Sequence, residues 1–152
     1  MPDHPLHIRH AASGDEAQWR VLWHNYNVFY QAPKITEEVT AATWARILDR
    51  QNAIGCLVAE ENGRLAGFIN YVIHPRTWST RDSCYMEDLY VDEKKRGRGI
   101  ARALCGRLKA MGTEMGLSRI YWNTQECNAT ARRLYDQIGH KDDFVRYVMP
   151  IP

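Results

Sequence analysis

The run Tyr85-Met86-Glu87-Asp88-Leu89-Tyr90-Val91-Asp92-Glu93-Lys94-Lys95-Arg96-Gly97-Arg98-Gly99-Ile100-Ala101 decides the reading of this chain. An apolar, aromatic-rich strand runs into a basic glycine turn, and the turn opens a helix. Such a turn can aim several backbone N–H groups at one point. The helix N-terminus adds a partial positive charge, and Lys94, Lys95, Arg96 and Arg98 add full ones. Together they make an anion site, most naturally for a diphosphate.

Working outward, residues 84–91 form the strand before the turn and residues 99–115 the helix after it. That helix carries Ile100, Ala103, Leu104, Leu108, Met111 and Met115 on its apolar stripe, and Gly116 stands where a C′ glycine belongs. A strand over 118–124 follows, so the two strands are joined by a helical crossover and should be parallel neighbours. Asn128 caps a further helix through Ile138, which Gly139 ends. Residues 144–149 are expected as a final strand.

On the N-terminal side, residues 6–10 alternate as a first strand. Ser13-Gly14-Asp15-Glu16 has capping-box spacing, with Ser13 at the cap. The helix it starts places Trp19, Leu22, Trp23, Tyr26, Phe29 and Tyr30 on one face, and Pro33 is expected to end it. A second helix spans about 36–49 with Val39, Thr43, Trp44, Ile47 and Leu48 inward. Two apolar runs, 54–60 and 65–74, flank an Asn62-Gly63 turn and form a hairpin. Residues 74–83 are expected as a polar loop. The fold class is therefore α/β (α+β). One mixed, mostly antiparallel sheet holds a central parallel strand–helix–strand unit, with helices on both faces, in a single domain over 1–152.

Composition excludes several classes. A chain of 152 residues can bury a real core. A formal charge of +2 argues against a dedicated nucleic-acid binder, despite the basic turn. No apolar run is long enough to span a bilayer. Met1-Pro2-Asp3-His4-Pro5 has neither the cationic nor the apolar region of a secretory signal. The four cysteines, Cys56, Cys84, Cys105 and Cys127, make no CxxC pair, which favours reduced thiols in a cytoplasm. The six histidines show no metal spacing. Gly97-Arg98-Gly99 begins a dinucleotide fingerprint, but Arg102 stands where its third glycine should be. No Gly-Lys-Ser/Thr follows, so the turn is not a Walker A loop.

Strand, Arg96-Gly97-Arg98-Gly99-Ile100-Ala101, then helix resembles the acyl-CoA pyrophosphate loop of the GNAT (N-acetyltransferase) superfamily. Asn128-Ala129-Thr130-Ala131-Arg132-Arg133-Leu134-Tyr135-Asp136-Gln137-Ile138-Gly139 resembles its second signature, Asn-x-x-Ala-x-x-Leu-Tyr-x-x-x-Gly. The order of elements is also that of the family. Glu87 to Val91 looks closest to the polyamine and histone/amino-acid acetyltransferase branches. Lys94 departs from the Gln or Arg usual three residues before the first glycine.

The resemblance implies an acetyl-CoA-dependent N-acetyltransferase that moves an acetyl group directly to a primary amine, without a metal. Acceptors in range are a small cationic amine or polyamine, an amino acid, an aminoglycoside-like amine or a lysine side chain. It implies cofactor contacts from Leu89, Tyr90, Val91, Arg96, Gly97, Arg98, Gly99, Ile100, Ala101, Arg102, Asn128, Ala131 and Tyr135. The Tyr135 hydroxyl would stand near the CoA sulfur and protonate the leaving thiolate; without the resemblance Tyr135 is equally a core residue. Glu87 shares a strand face with Tyr85, Leu89 and Val91. It is either a rim carboxylate or a cleft carboxylate that binds an ammonium and takes its proton. Asp88 points the other way. Tyr26 and Tyr30, at the end of the aromatic face, can line the acceptor pocket with Glu87. Neither Cys105 nor Cys127 has a visible His partner, which argues against an acyl-cysteine. The related branches imply a homodimer, with no membrane or nucleic-acid partner. A CoA-binding regulatory module without turnover is the alternative; it would not need the Glu87–Tyr135 pair.

Overall fold

Strands run in the spatial order β1-β2-β3-β4-β5 in one sheet of five. They are β1 (His7–His10), β2 (Ile54–Glu61), β3 (Arg64–Arg76), β4 (Ser79–Val91) and β5 (Arg119–Tyr121). The first four pair antiparallel, and β4 pairs parallel with β5. The helices are α1 (Glu16–Phe29), α2 (Glu37–Leu48), α3 (Ile100–Glu114) and α4 (Ala129–Ile138). This computed structural model describes residues 5–32 and 35–152. They form two compact units, one ending at Trp122 and one running from Asn123 to Pro152.

The alternation of β2 shows how the first unit is layered. Cys56 and Val58 face Trp19, Leu22 and Trp23 of α1 and Trp44 and Ile47 of α2, in one cluster with Phe68 and Tyr90. Trp19 stacks on Trp23 at 5.3 Å and meets Trp44 at 5.0 Å. The alternate residues Leu57 and Ala59 face the other way, where α3 packs with Leu104 and Leu108 fully buried. Helices thus cover both faces. Truncating Trp19, which is wholly buried, should cost about 3–5 kcal/mol.

Local signals explain most boundaries. Asn62 and Gly63 adopt positive φ in the β2–β3 turn. Thr36 caps α2 by accepting from the Val39 N–H. Gly116, at φ 68°, closes α3, and the Leu117 N–H returns to the Gly112 carbonyl.

Several expectations are corrected. Ser13 is not a cap. Residues Ser13–Asp15 form a 3-10 turn, and the Asp15 carboxylate reaches back to the Ala12 N–H at 2.8 Å. Phe29, Val39 and Leu48 are exposed, because each helix buries a narrower stripe than its apolar positions suggest. Residues 74–83 are not a loop. They form the polar end of the β3–β4 hairpin, with Arg76 opposite Ser79 across a two-residue turn. The polarity there marks strands that run out into solvent. The strand expected over 118–124 is only three residues long. Residues 144–149 are extended in sequence pattern, but no strand forms there. Pro33 and residues 1–4 lie outside the described residues.

Candidate active site on the fourth strand

One extra residue in β4 organises the site. Tyr71 of β3 stands opposite Met86 and Asn70 opposite Asp88, so Glu87 is a bulge with no residue across from it. The bulge shifts the alternation. Tyr85 pairs with Val72 and Leu89 with Ile69, so Tyr85 and Leu89 lie on opposite faces. The expectation that Tyr85, Glu87, Leu89 and Val91 share one face is corrected accordingly. β5 accompanies β4 only from Ser83 to Tyr85. Past the bulge, the edge of β4 turned away from β3 has no strand partner among the described residues.

Glu87 is exposed, and Asp88 is half-buried on the α1 face. The Asp88 carboxylate accepts from Asn70 Nδ2 at 3.1 Å and from the Tyr26 hydroxyl. Burial pushes the Asp88 carboxyl above the ordinary carboxylate range, and these two hydrogen bonds hold it back. Glu87 is also pushed up, first by desolvation and then by the charge of Asp88. Burial and the neighbouring carboxylates raise the Tyr26 phenol far beyond its usual value, so it stays a donor. Tyr30 packs on Tyr26 at 4.8 Å. The structure therefore brings Tyr26 and Tyr30 together with Asp88 and Asn70, while Glu87 stands exposed at the bulge next to Asp88. Asn70 is buried, and its Oδ1 has no partner. It is an acceptor waiting for an N–H or a water. As the one polar side chain in the run from Leu65 to Ile73, Asn70 was visible in the sequence as an oddity.

The basic turn follows at the end of β4. Gly97 and Gly99 take φ of 74° and 79°, and Gly99 precedes α3 in the left-handed region without a side-chain cap. A Cβ at either would meet nothing within 4 Å. Among the described residues, the amides of Gly97, Arg98, Gly99, Ile100 and Ala101 have no acceptor. This is a nest for an anion, with room to enter. The basic side chains divide their work. Lys95 and Arg98 hold the Glu61 carboxylate at 3.1 and 2.9 Å, which ties the turn to β2 and draws the Glu61 pKa down. Arg96 donates Nε–H to the Val91 carbonyl and lies over the rings of Phe29 and Tyr90. Lys94 is exposed. The rings of Tyr90 and Ile100's side chain are core, so any contact these two make with a ligand is through the backbone.

Beside the bulge, the ring of Tyr121 stacks on Tyr85 at 5.1 Å, and its hydroxyl meets His74 Nε2 at 2.7 Å. His74 Nδ1 lies 2.7 Å from the Pro75 carbonyl and must be the protonated nitrogen. Nε2 and the tyrosine hydroxyl thus share the second hydrogen bond of the ring. The sequence contains no local sign of this pair, 47 residues apart. A surface cleft of about 550 Å³ between α1 and α2, lined by Arg20, His24, Asn27 and Glu37 among others, includes no residue of β4 or the turn.

In the second unit, the Asn128 side chain accepts from the Ala131 N–H and starts α4, on which Tyr135 lies half-buried. Gly139 N–H returns to the Tyr135 carbonyl at the end of the helix. Asn128 is thus spoken for in part as a cap.

Among the described residues, no helix is long and apolar enough to cross a membrane, and no cluster of three or more His, Cys, Asp or Glu could hold a metal.

Residues 19–140 match the Acetyltransferase (GNAT) family. The chain is 35% identical over 135 residues to the D-amino-acid N-acetyltransferase HPA3 of Saccharomyces cerevisiae, covering 88% of this chain and 83% of that one. A crystal structure of a probable acetyltransferase superposes with a TM-score of 0.84 at 26% identity, covering 96% of this chain and 98% of the other. The structure of AAC(6')-Iy in complex with the bisubstrate analog CoA-S-monomethyl-acetylneamine has a TM-score of 0.82 at 18% identity, over 97% and 99% of the two chains, and shares the fold. A bulged central strand that ends in a glycine nest is thus found where the family match runs, and the chain belongs to the acetyltransferase (GNAT) family as an N-acetyltransferase.

Proposed function

We propose that the acetyl donor is acetyl-CoA and that the acceptor is a small primary amine, with amino acids foremost in the class. One observation carries this reading. A single strand, β4, bears the Glu87–Asp88 carboxylate pair at its bulge and the amide nest at its end, with an unpartnered edge between them. The nest and Lys94 suit a diphosphate. The open edge at Leu89 and Val91 suits the amide groups of an extended pantetheine arm. The carboxylates suit an ammonium. Similarity to a D-amino-acid N-acetyltransferase supports an amino-acid acceptor.

The amine arrives protonated and must lose a proton to attack. Glu87, with its raised pKa, takes that proton directly or through water held by Asn70 Oδ1. The free amine adds to the thioester carbonyl, whose oxygen is stabilised by a backbone N–H near Leu89. The C–S bond then breaks, and the thiolate receives a proton from Tyr135. Asp88 and Tyr26 hold the charge side of the pocket. Much of the rate comes from holding amine and thioester together. We place this activity in the cytoplasm, since the scattered cysteines suit a reducing compartment.

The test is thiol release from acetyl-CoA with a panel of D- and L-amino acids, diamines, aminoglycosides and lysine peptides. Turnover with amino acids and small amines is expected. Release only with lysine peptides would overturn the acceptor class, and the absence of release with every amine would overturn the reading.

A further inference from the structure

Glu61 ends β2 beside the Asn62-Gly63 turn, and its side chain is only 10% exposed. Both carboxylate oxygens are taken. Oε1 accepts from Arg98 Nη2 at 2.9 Å, and Oε2 from Arg98 Nη1 at 3.2 Å and Lys95 Nζ at 3.1 Å. Two cations on one buried carboxylate, one of them through both arms of its guanidinium, make a stronger tie than a solvated surface pair. Acetyl transfer has no use for this carboxylate. By its charge alone, an acid beside an anion site would repel the ligand.

The turn has a need that the tie meets. The last backbone hydrogen bond before the glycines is a long one, from the Arg96 N–H to the Glu93 carbonyl at 3.5 Å. Among the described residues, the amides of Gly97, Arg98 and Gly99 make no backbone hydrogen bond. Gly97 and Gly99 both stand at positive φ, and glycine loses more freedom on ordering than any other residue. A nest binds an anion only while its amides converge. Side chains therefore hold the shape. Arg96 is tied to the Val91 carbonyl ahead of the glycines. Arg98 lies between them, and Glu61 is its anchor. A loop already held in its bound shape gives up less freedom when the ligand arrives.

We propose that Glu61 is a positioning residue for the acetyl donor. Through Arg98 it holds Gly97 to Gly99 in the anion-binding shape before the diphosphate arrives. This rests on the reading of acetyl-CoA as the donor.

The experiment uses the full chain. Glu61→Gln keeps the size of the side chain and removes its charge, and circular dichroism reports whether the variant is folded. By calorimetry its Kd for acetyl-CoA should rise about tenfold, while kcat at saturating acetyl-CoA and the acceptor KM stay unchanged. ADP, which carries the diphosphate, should weaken in the same proportion. Turnover with S-acetylpantetheine, which lacks it, should not change. Arg98→Met should weaken acetyl-CoA as well, and adding Glu61→Gln to it should cause little further loss, because the two residues act as one unit. If Glu61→Gln does not fold, Arg98→Lys, which keeps the cation and loses the fork, should show the same split between Kd and kcat. Undiminished or tighter binding by folded Glu61→Gln would make Glu61 a mere counter-ion and overturn the proposal. So would an equal fall in kcat, an equal loss with S-acetylpantetheine, or additive losses in the double variant. An unaltered enzyme that does not bind acetyl-CoA would overturn the donor reading itself, and this proposal with it.

Discussion

Asn70 and Asp88 stand directly opposite each other on β3 and β4, and the Asn70 amide donates to the Asp88 carboxylate across 3.1 Å. Because Asn70 is buried, this contact fixes the carboxylate next to the bulge. Asp88 then works on Glu87 as a fixed like charge, the second cause of the raised Glu87 pKa after desolvation. A raised carboxyl stays protonated, and useless as a base, to a higher pH. Asp88→Asn removes the second cause, so the acid limb of kcat/KM should move to lower pH. A limb that does not move in a pH–rate profile would assign it to another group. The two carboxyls titrate as a coupled pair, so the limb belongs to the pair in the unaltered enzyme.

Glu87→Gln should lower turnover by about 10²-fold or more near neutral pH, where the amine is an ammonium. Raising the pH supplies free amine and should recover part of the loss. Steady-state rates from acid to alkaline pH decide this, and a flat, undiminished profile would leave Glu87 as a rim carboxylate.

Tyr135→Phe keeps the ring and removes the hydroxyl. Coenzyme A thiolate leaves tolerably even unprotonated, so kcat should fall by about 10- to 10³-fold with a smaller change in KM. Acetyl-CoA should still raise the melting temperature. A normal kcat would assign Tyr135 a packing role.

Gly97 and Gly99 hold the left-handed conformation in open space, so a side chain there is strained by the backbone and not by a clash. Replacing both with Val should cost about 1–2 kcal/mol at each position and remove the rise in melting temperature caused by acetyl-CoA. Calorimetry with acetyl-CoA and with NADH checks both parts. A shift from NADH alone would contradict the diphosphate–pantetheine assignment.

Arg9 holds Asp15 with two hydrogen bonds, at 2.7 and 2.9 Å, and Glu60 with a third. The Arg9 contact is the chief reason the Asp15 carboxyl lies below its usual value, against the opposing effect of burial. A depressed folded pKa gives stability that is full above the unfolded pKa, about 3.9, and is lost as pH falls through the folded value. Asp15→Asn should therefore cost about 1.5–3 kcal/mol at neutral pH. The deficit should shrink below pH ~4. Urea melts across that range measure it.

The architecture was legible where local chemistry decides it. The Asn62-Gly63 turn, the Thr36 cap and the Gly116 stop each work through one or two residues. The parallel pairing of β4 with β5 followed from the strand–helix–strand order of elements. The bulge at Glu87 was not legible, because an extra residue leaves composition and alternation unchanged and shows only in the partner's register. Asp88 was discounted for the same reason. The Glu61 clamp on Lys95 and Arg98 joins residues 34 and 37 apart, and no sequence pattern marks it. Aromatic spacing put Tyr26 and Tyr30 at the end of one helix face, and the structure packs their rings at 4.8 Å.

Glu87 faces no residue across the ladder, and this has a consequence for how the enzyme can change. Its neighbours Met86 and Asp88 carry the register, and the helices are packed by others. A new side chain at 87 therefore disturbs neither pairing nor core, and a substitution there should stay within about ±0.5 kcal/mol of the starting stability. The same position meets the acceptor in the proposed reaction. The fold thus keeps the proposed base apart from the positions that set register and core. A loss of rate on substitution at position 87 therefore reports chemistry and not a loss of folded protein.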